Sequence, residues 1–337
     1  MMHYCTLFNK NYLANGLALY DSIEKFSKSD FKLYVLAMDD YTSRFLQLDQ
    51  RSKMIVISLE VFENDELLSV KVGRSFGEYC WTCTPCLVRY CLDTYQIPFC
   101  IYLDADLFFF NDPNIGWNEM PNECSVLITE HNYHPKHDHR VTNGLYCVQY
   151  MGFRNNEDGN RVLNWWKDSC IEWCFAKAEN NRFGDQKYLD DWLVRFPGVW
   201  VSQNKGIGFA PWNIEMFELE NDSPDYTIIN KVTKQKYKLV FYHFHGFRVY
   251  RNKIRLTEFV YRIDEDSKNK IYLPYIQQII KYTDLDTLKN PGFEYYYVMY
   301  KKLLYKKVSE FFKLFTEDTQ SPFNNFIPIK FQKLKND

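Results

Sequence analysis

Asp104 and Asp106 stand two residues apart in Ile101-Tyr102-Leu103-Asp104-Ala105-Asp106-Leu107-Phe108-Phe109-Phe110. An apolar run leads in and an aromatic run leads out. Such a run reads as a buried parallel strand. Side chains at i and i+2 of a strand point to one side, roughly 6–7 Å apart. Two carboxylates so placed repel each other and resist desolvation. A divalent cation between or beside them relieves both costs, and hard oxygen ligands suit Mg²⁺ or Mn²⁺. Ligands of open α/β sheets bind at the carboxyl ends of strands, where this run would stop. The bland alternative is a strand ending in two solvated acids.

Further polar groups are candidates to join the pair. Phe241-Tyr242-His243-Phe244-His245-Gly246 reads as a strand ending in two histidines and a glycine. Either His243 or His245 offers a nitrogen ligand to the same cation. Asn143-Gly144 reads as a turn into the strand Leu145-Tyr146-Cys147-Val148. Arg182-Phe183-Gly184-Asp185-Gln186-Lys187-Tyr188-Leu189-Asp190 and Ala210-Pro211-Trp212-Asn213 are two further distinctive segments. Asp185 has a structural reading as a helix cap, and Asn143-Gly144 as a turn alone. The loop 131–140 holds His131, His134, His137 and His139, four of the seven histidines. It reads as a polar loop over the mouth of the site, against a solvated loop or a second metal site.

The elements that position these groups follow from periodicity. Residues 4–8 and 31–38 read as strands, with helical spacing of apolar residues over 12–26 between them and a polar turn at 9–11. Residues 54–59 give a third strand. Such βαβ units predict a parallel sheet. Residues 81–92 read as a helix feeding the Asp104 strand, with Pro85 near its first turn. Residues 126–129 are a strand and 161–176 an amphipathic helix rich in tryptophan. No Gly-x-Gly-x-x-Gly follows the first strand and no Walker lysine loop occurs, so the dinucleotide and P-loop classes gain no support.

Composition bounds the class. The 337 residues suffice for one large α/β domain with an appendage. Hydrophobic content of 46% and charged content of 25% are those of a globular protein. The high aromatic share, 18%, suits a sugar-binding cleft. A net charge of −2 argues against a nucleic-acid partner. No apolar run approaches the ~20 residues of a membrane span, and the N-terminus lacks the pattern of a signal peptide. The ten cysteines then read as reduced thiols of a cytoplasmic protein. Cys80, Cys83 and Cys86 are evenly spaced, but no second ligand pair completes a zinc site. Cys80, Cys83 and Cys91 share helical periodicity with Leu87 and Tyr90 and read as core, as do Cys170 and Cys174.

The order Asp-x-Asp, Asn-Gly, Asp-Gln, His-x-x-Gly resembles the nucleotide-sugar glycosyltransferases of the GT-A fold, and among them family 8. Tyr102–Phe109, the Arg182 and Ala210 segments and Tyr242-His243-Phe244-His245-Gly246 are also similar to a bacterial group of nucleotide-diphospho-sugar transferases. The resemblance covers most of residues 3–250. It implies an α/β fold with a Rossmann-like mixed sheet flanked by helices, and a catalytic domain at 1–255. It implies Mn²⁺ or Mg²⁺ on Asp104, Asp106 and a histidine. The family places that histidine three residues before the glycine, which points to His243 over His245. The donor is a nucleotide-diphosphate sugar, with UDP expected, and Asp104 also reaches its ribose. Asn143 matches a residue on the donor sugar, and Asp185 with Gln186 a pair beneath its ring. Thr6, Asn11 and Tyr12 match the segment that cradles the nucleoside, with Asp39 or Asp40 on its base or ribose. The family lysine past the glycine is absent, and Arg248, Arg251 or Lys253 would meet the phosphate instead. Retention of configuration follows by analogy alone.

Residues 256–337 read as a helical extension rich in aromatics and lysine. Helices are expected at 272–282 and 294–315. The second sets a broad apolar face against Lys301, Lys302, Lys306 and Lys313. It reads either as packed on the catalytic domain or as a peripheral contact with an anionic membrane. A glycan, lipid-glycan or protein acceptor is expected. Two competing classes are a non-catalytic nucleotide-sugar or carbohydrate-binding relative, and a haloacid-dehalogenase-type phosphatase with Asp104 as nucleophile.

Overall fold

The computed structural model describes residues 1–220, 226–250, 253–283 and 326–328. The chain opens with β1 (Met2–Phe8), α1 (Leu13–Phe26), β2 (Phe31–Ala37), α2 (Asp40–Asp49) and β3 (Met54–Ser58). The helix Phe76–Thr94 follows, then β4 (Phe99–Leu103), β5 (Leu107–Phe109), β6 (Val126–Glu130) and β7 (Tyr146–Arg154). The helix Glu157–Glu172 leads on to β8 (Val199–Val201). Seven of these strands form one sheet in the order β3-β2-β1-β4-β7-β6-β8. β1 pairs in parallel with β2 and β4, β2 with β3, and β6 with β8, while β7 runs antiparallel to both neighbours. The expected mixed α/β architecture, a sheet flanked by helices, is what the chain adopts.

Both faces of the sheet are covered, which is why its central strands read as near-continuous apolar runs. One face packs Cys5, Leu36 and Tyr102 against the helices Phe76–Thr94 and Glu157–Glu172. The other packs Tyr4, Leu33 and Ile101 against α1. Cys83, Cys86, Cys91, Cys170 and Cys174 lie buried in the first of these cores, and Cys80 packs against it. They face that core as helical periodicity places them, and the ten cysteines are free thiols.

Three local expectations are corrected. In the stretch 101–110 the first strand stops at the acids as expected, but Asp104 and Asp106 lie on a turn and not side by side on a strand, and residues 107–109 form a second strand. β4 ends at Leu103, Leu107 N–H donates to Asp104 O across a turn at 3.3 Å, and β5 leaves the main sheet. It pairs instead with β12 (Phe241–His243), which follows β9 (Phe217–Glu220), β10 (Thr227–Asn230) and β11 (Lys236–Lys238) along the chain. The acids therefore sit at the corner where the chain changes strand partners. Second, the helix containing Pro85 starts at Phe76, capped by Ser75 and Glu78 in a reciprocal capping box. Pro85 falls mid-helix rather than in the first turn. Third, the tryptophan-rich helix begins at Glu157 because Asn156 accepts from Gly159 N–H at 2.9 Å, and it ends at Glu172.

The chain beyond β12 forms β13 (Arg248–Tyr250) and β14 (Lys253–Arg255), with β15 (Phe326–Pro328) added alongside. The helix Leu273–Tyr282 lies where helical spacing places it. Its Tyr275 stacks on Phe244 at 3.6 Å between ring centroids and receives a hydrogen bond from Asn15 Nδ2 of α1 at 2.7 Å. This stretch is thus built into a core with Phe108 and Phe244. The expected helix 294–315 lies outside the described residues. Among those described, no helix is long and apolar enough to cross a membrane.

Candidate metal and donor site

Two elements deliver three candidate ligand side chains to one point. The turn after β4 supplies Asp104 and Asp106, and the end of β12 supplies His243. The register of β12 on β5 sets His243 opposite Leu107, and Phe244 N–H donates to Asp106 O at 2.9 Å. His243 Nε2 then lies 3.1 Å from Asp106 Oδ1 and 3.8 Å from Asp104 Oδ2. One ligand atom from each residue falls within 4.8 Å of the other two. His245, two residues on, is half-exposed and turns to Glu258, with Nε2 3.7 Å from Oε1. It lies outside the cluster.

The electrostatics show why this triad suits a cation. Burial, with Asp106 close by, holds Asp104 above the usual carboxylate range despite His243. Burial also opposes charge on Asp106, but the His243 imidazolium overrides it and holds that acid low. Burial pulls His243 down, yet Asp106 more than compensates and the imidazole is held well above its ordinary value. The proton on Nε2 thus stands in for a positive charge between two carboxylates. Two hard oxygens and one imidazole nitrogen fit Mn²⁺ or Mg²⁺. Tyr102 O–H donates to Asp104 Oδ1 at 3.0 Å and orients it from below.

Asn143, Asp185 and Gln186, expected to address the sugar, come together near Asp104. Gln186 Nε2 donates to Asn143 O at 2.8 Å. Asp185 is buried next to them, and Trp166 Nε1 donates to its backbone carbonyl at 2.9 Å. Asp185 does not cap a helix. The 3₁₀ turn Lys187–Asp191 has no side-chain cap. Burial, reinforced by the charge of Asp104, lifts the Asp185 carboxyl well above the usual range. An acid raised in this way stabilises the fold fully below its unfolded value, about 3.9, and that contribution is lost as pH rises through the folded value. Asp185→Asn removes the penalty of ionising in the core. The metal-free variant is therefore expected to melt above the wild type at pH 7, with the gap closing toward pH 4, while donor turnover falls. Thermal melts across that range check it, and two parallel pH curves would contradict it.

Tyr12, expected at the nucleoside, and Arg248, expected at the phosphate, meet each other. Arg248 Nη2 donates to Tyr12 O–H at 2.7 Å and its guanidinium lies 4.9 Å from the ring centroid. Burial and then the Asp106 charge raise the Tyr12 phenol, which places this pair within the field of the metal corner. Asp39 is an N-cap, accepting from Thr42 N–H at 2.7 Å and from Lys10 N–H at 2.9 Å. Asn11 is exposed beside it. Thr6 is fully buried in β1.

Gln149 was not legible in advance, and for Trp212, Asn213, His131, Lys187 and Asp190 the sequence marked the segment but not the contacts. Gln149, fully buried on β7, accepts from His243 Nδ1–H at 2.8 Å. The signal was one polar residue in the run Leu145-Tyr146-Cys147-Val148-Gln149-Tyr150-Met151. Trp212 sets its ring edge-on to His243 at 5.3 Å, and its Nε1–H and Asn213 Nδ2–H both donate to His131 O, at 2.7 and 3.0 Å. His131 is thereby the buried end of the histidine loop, and burial pulls its imidazole down to about 3. Lys187 Nζ donates to Asp190 Oδ2 at 2.7 Å and to Arg140 O at 2.8 Å, while Asp190 Oδ1 accepts from Leu145 N–H at 2.7 Å. Together they clamp the Asn143-Gly144 turn, where Gly144 has φ +102° and an added Cβ would stand 3.0 Å from Asp190 Oδ1.

No protein-family model matches the chain. Two proteins of Bacillus subtilis (strain 168), YfnD and YfnF, both named as uncharacterized, are each 29% identical to it. YfnD aligns over 287 residues, 84% of this chain and 90% of its own length, and YfnF over 297 residues, 83% and 93%. Among solved structures, the chain is similar to galactosyltransferase LgtC in complex with donor and acceptor sugar analogues, at 14% identity and a TM-score of 0.46 over 64% of this chain and 77% of that one. It is also similar to mouse xyloside xylosyltransferase 1, at 13% identity and 0.42 over 62% and 87%. GlyE of Streptococcus pneumoniae TIGR4 gives 14% and 0.39 over 60% and 45%. At such scores the functional reading rests on the site itself.

Proposed function

We propose that the chain is a metal-dependent glycosyltransferase of GT-A type, moving a sugar from a nucleoside-diphosphate donor, UDP being expected, to a glycan or lipid-glycan acceptor. The observation that carries this reading is the convergence of Asp104, Asp106 and His243 at the carboxyl end of a central strand. The bound Mn²⁺ or Mg²⁺ would supply a Lewis acid to the diphosphate leaving group. Asp104, Asp106 and His243 Nε2 would hold it. Tyr102 orients Asp104, Arg248 adds positive charge on the nucleotide side, and Tyr12 offers a ring edge there. Asp185 and Gln186 address the sugar, where an oxocarbenium-like transition state favours nearby negative and dipolar groups. Asn143 holds Gln186 through its carbonyl.

Hydrolysis of a panel of sugar nucleotides, with Mn²⁺ and with EDTA, tests this. Metal-dependent release of nucleoside diphosphate from one donor is expected. Tight donor binding without turnover would favour a non-catalytic binding relative. Gln186→Ala is expected to lower turnover by roughly 10²-fold, the scale of one lost preorganised contact, with nucleoside-diphosphate affinity within about threefold of wild type. Side-by-side kinetics and calorimetry check the split. Equal losses in both would move Gln186 from the sugar to the nucleotide.

A further inference from the structure

Gln149 is a buried side-chain partner of His243, and a chain of hydrogen bonds runs behind its amide. Thr129 O–H donates to Cys147 O at 3.3 Å, which leaves the hydroxyl oxygen free to accept. Gln149 Nε2 donates to that oxygen at 3.5 Å. The amide therefore turns its carbonyl toward β12, where Oε1 lies 2.8 Å from His243 Nδ1. A carbonyl oxygen only accepts, so Nδ1 carries a proton and Nε2 is the nitrogen left for the carboxylate side. The backbone makes room for this amide. Gly208 has φ +105°, and a Cβ there would stand 2.8 Å from Gln149 Nε2 and 3.2 Å from Glu130 O. His243 is itself fixed, with its N–H donating to Phe209 O at 2.8 Å.

We propose that Gln149, oriented by Thr129, is a positioning residue that locks His243 in the Nδ1–H tautomer and aims Nε2 at the cation. The proposal rests on the metal reading above. An apolar residue at 149 removes the carbonyl that accepts from Nδ1–H and lets the ring rotate, change tautomer or turn to Cys147, its other side-chain partner. Loss of such an outer partner weakens metal binding by ~10- to 100-fold. A carboxylate at 149 still accepts from Nδ1–H.

Mn²⁺ binding, read by electron paramagnetic resonance on wild type, Gln149→Met and Gln149→Glu, gives the first test, with thermal melts as a check on folding. The Met variant is expected to bind Mn²⁺ at least ~10-fold more weakly, and the Glu variant within about threefold of wild type. A folded Met variant that binds as tightly as wild type would overturn the proposal. So would a folded Glu variant as weak as a folded Met variant. Wild-type protein loaded with Cd²⁺, a diamagnetic substitute, needs no variant to fold. Long-range ¹H–¹⁵N correlation of labelled histidine should show His243 as the Nδ1–H tautomer. An Nε2–H tautomer there would overturn the proposal while leaving the metal reading standing. No Mn²⁺ binding by wild type would remove the metal reading and this inference together.

Discussion

Asp106→Asn is expected to cut metal-dependent donor turnover by at least ~10²-fold, the scale of one lost preorganised electrostatic contact. The substitution keeps the size and planarity of the side chain but removes one of two charges that balance a divalent cation. The same carboxylate lies 3.1 Å from His243 Nε2 and holds that imidazole charged in the metal-free protein. Asparagine thus weakens the site twice, as a ligand and as the partner that orders the histidine. His243→Ala should have the same sense with smaller size, since water can fill a vacated position. His245→Ala should be milder still, because His245 points to Glu258 and not into the triad. Steady-state hydrolysis at saturating Mn²⁺ measures all three. An Asp106→Asn enzyme with full activity would return the two acids to an ordinary chain corner.

Lys187→Met carries the second large effect. Lys187 is buried, and its ammonium holds Asp190 and Arg140 O together behind the Asn143-Gly144 turn. Methionine fills similar volume but leaves the Asp190 carboxylate with a backbone N–H partner and no counter-charge. Breaking a buried pair from one side costs about 3–5 kcal/mol, and a partly exposed Asp190 sets the expected loss near the lower end, about 3 kcal/mol. Function falls with it, because Gln186 is held by the carbonyl of Asn143 in that turn. Urea unfolding gives the first number and turnover against nucleotide affinity the second. A variant of wild-type stability would show that the pair contributes no more than a surface ion pair, under about 1 kcal/mol.

Much of the fold was legible in the sequence. The strands 4–8, 31–38 and 126–129 announce themselves as apolar runs, and the helix 272–282 by its spacing. What failed was local detail set by distant partners. The run was expected to stop at the acids, and it does, but nothing in 101–110 says that its second half pairs with residues 241–243, so the turn between the two halves was invisible. That turn changes the argument for the metal pair. The acids converge because they sit on a turn, and not because a strand sets them on one side. The choice between His243 and His245 was open for the same reason. A strand places i and i+2 alike, but β12 ends at His243 and the chain turns before His245. Pro85 read as an early-turn residue because Ser75 and Glu78 lie ahead of any periodic apolar pattern. Gln149 was missed because a lone polar residue gives no period, and the role of Lys187, inside a segment the sequence did single out, lies wholly in what packs against it.

The most direct measurement is calorimetry of UDP binding to the wild-type protein with Mn²⁺ and with EDTA, repeated on Asp106→Asn. Binding that needs Mn²⁺ in the wild type, and weakens by ~10-fold or more in the variant, is the predicted result. UDP affinity that is the same with Mn²⁺ and with EDTA would contradict a cation held by Asp104, Asp106 and His243.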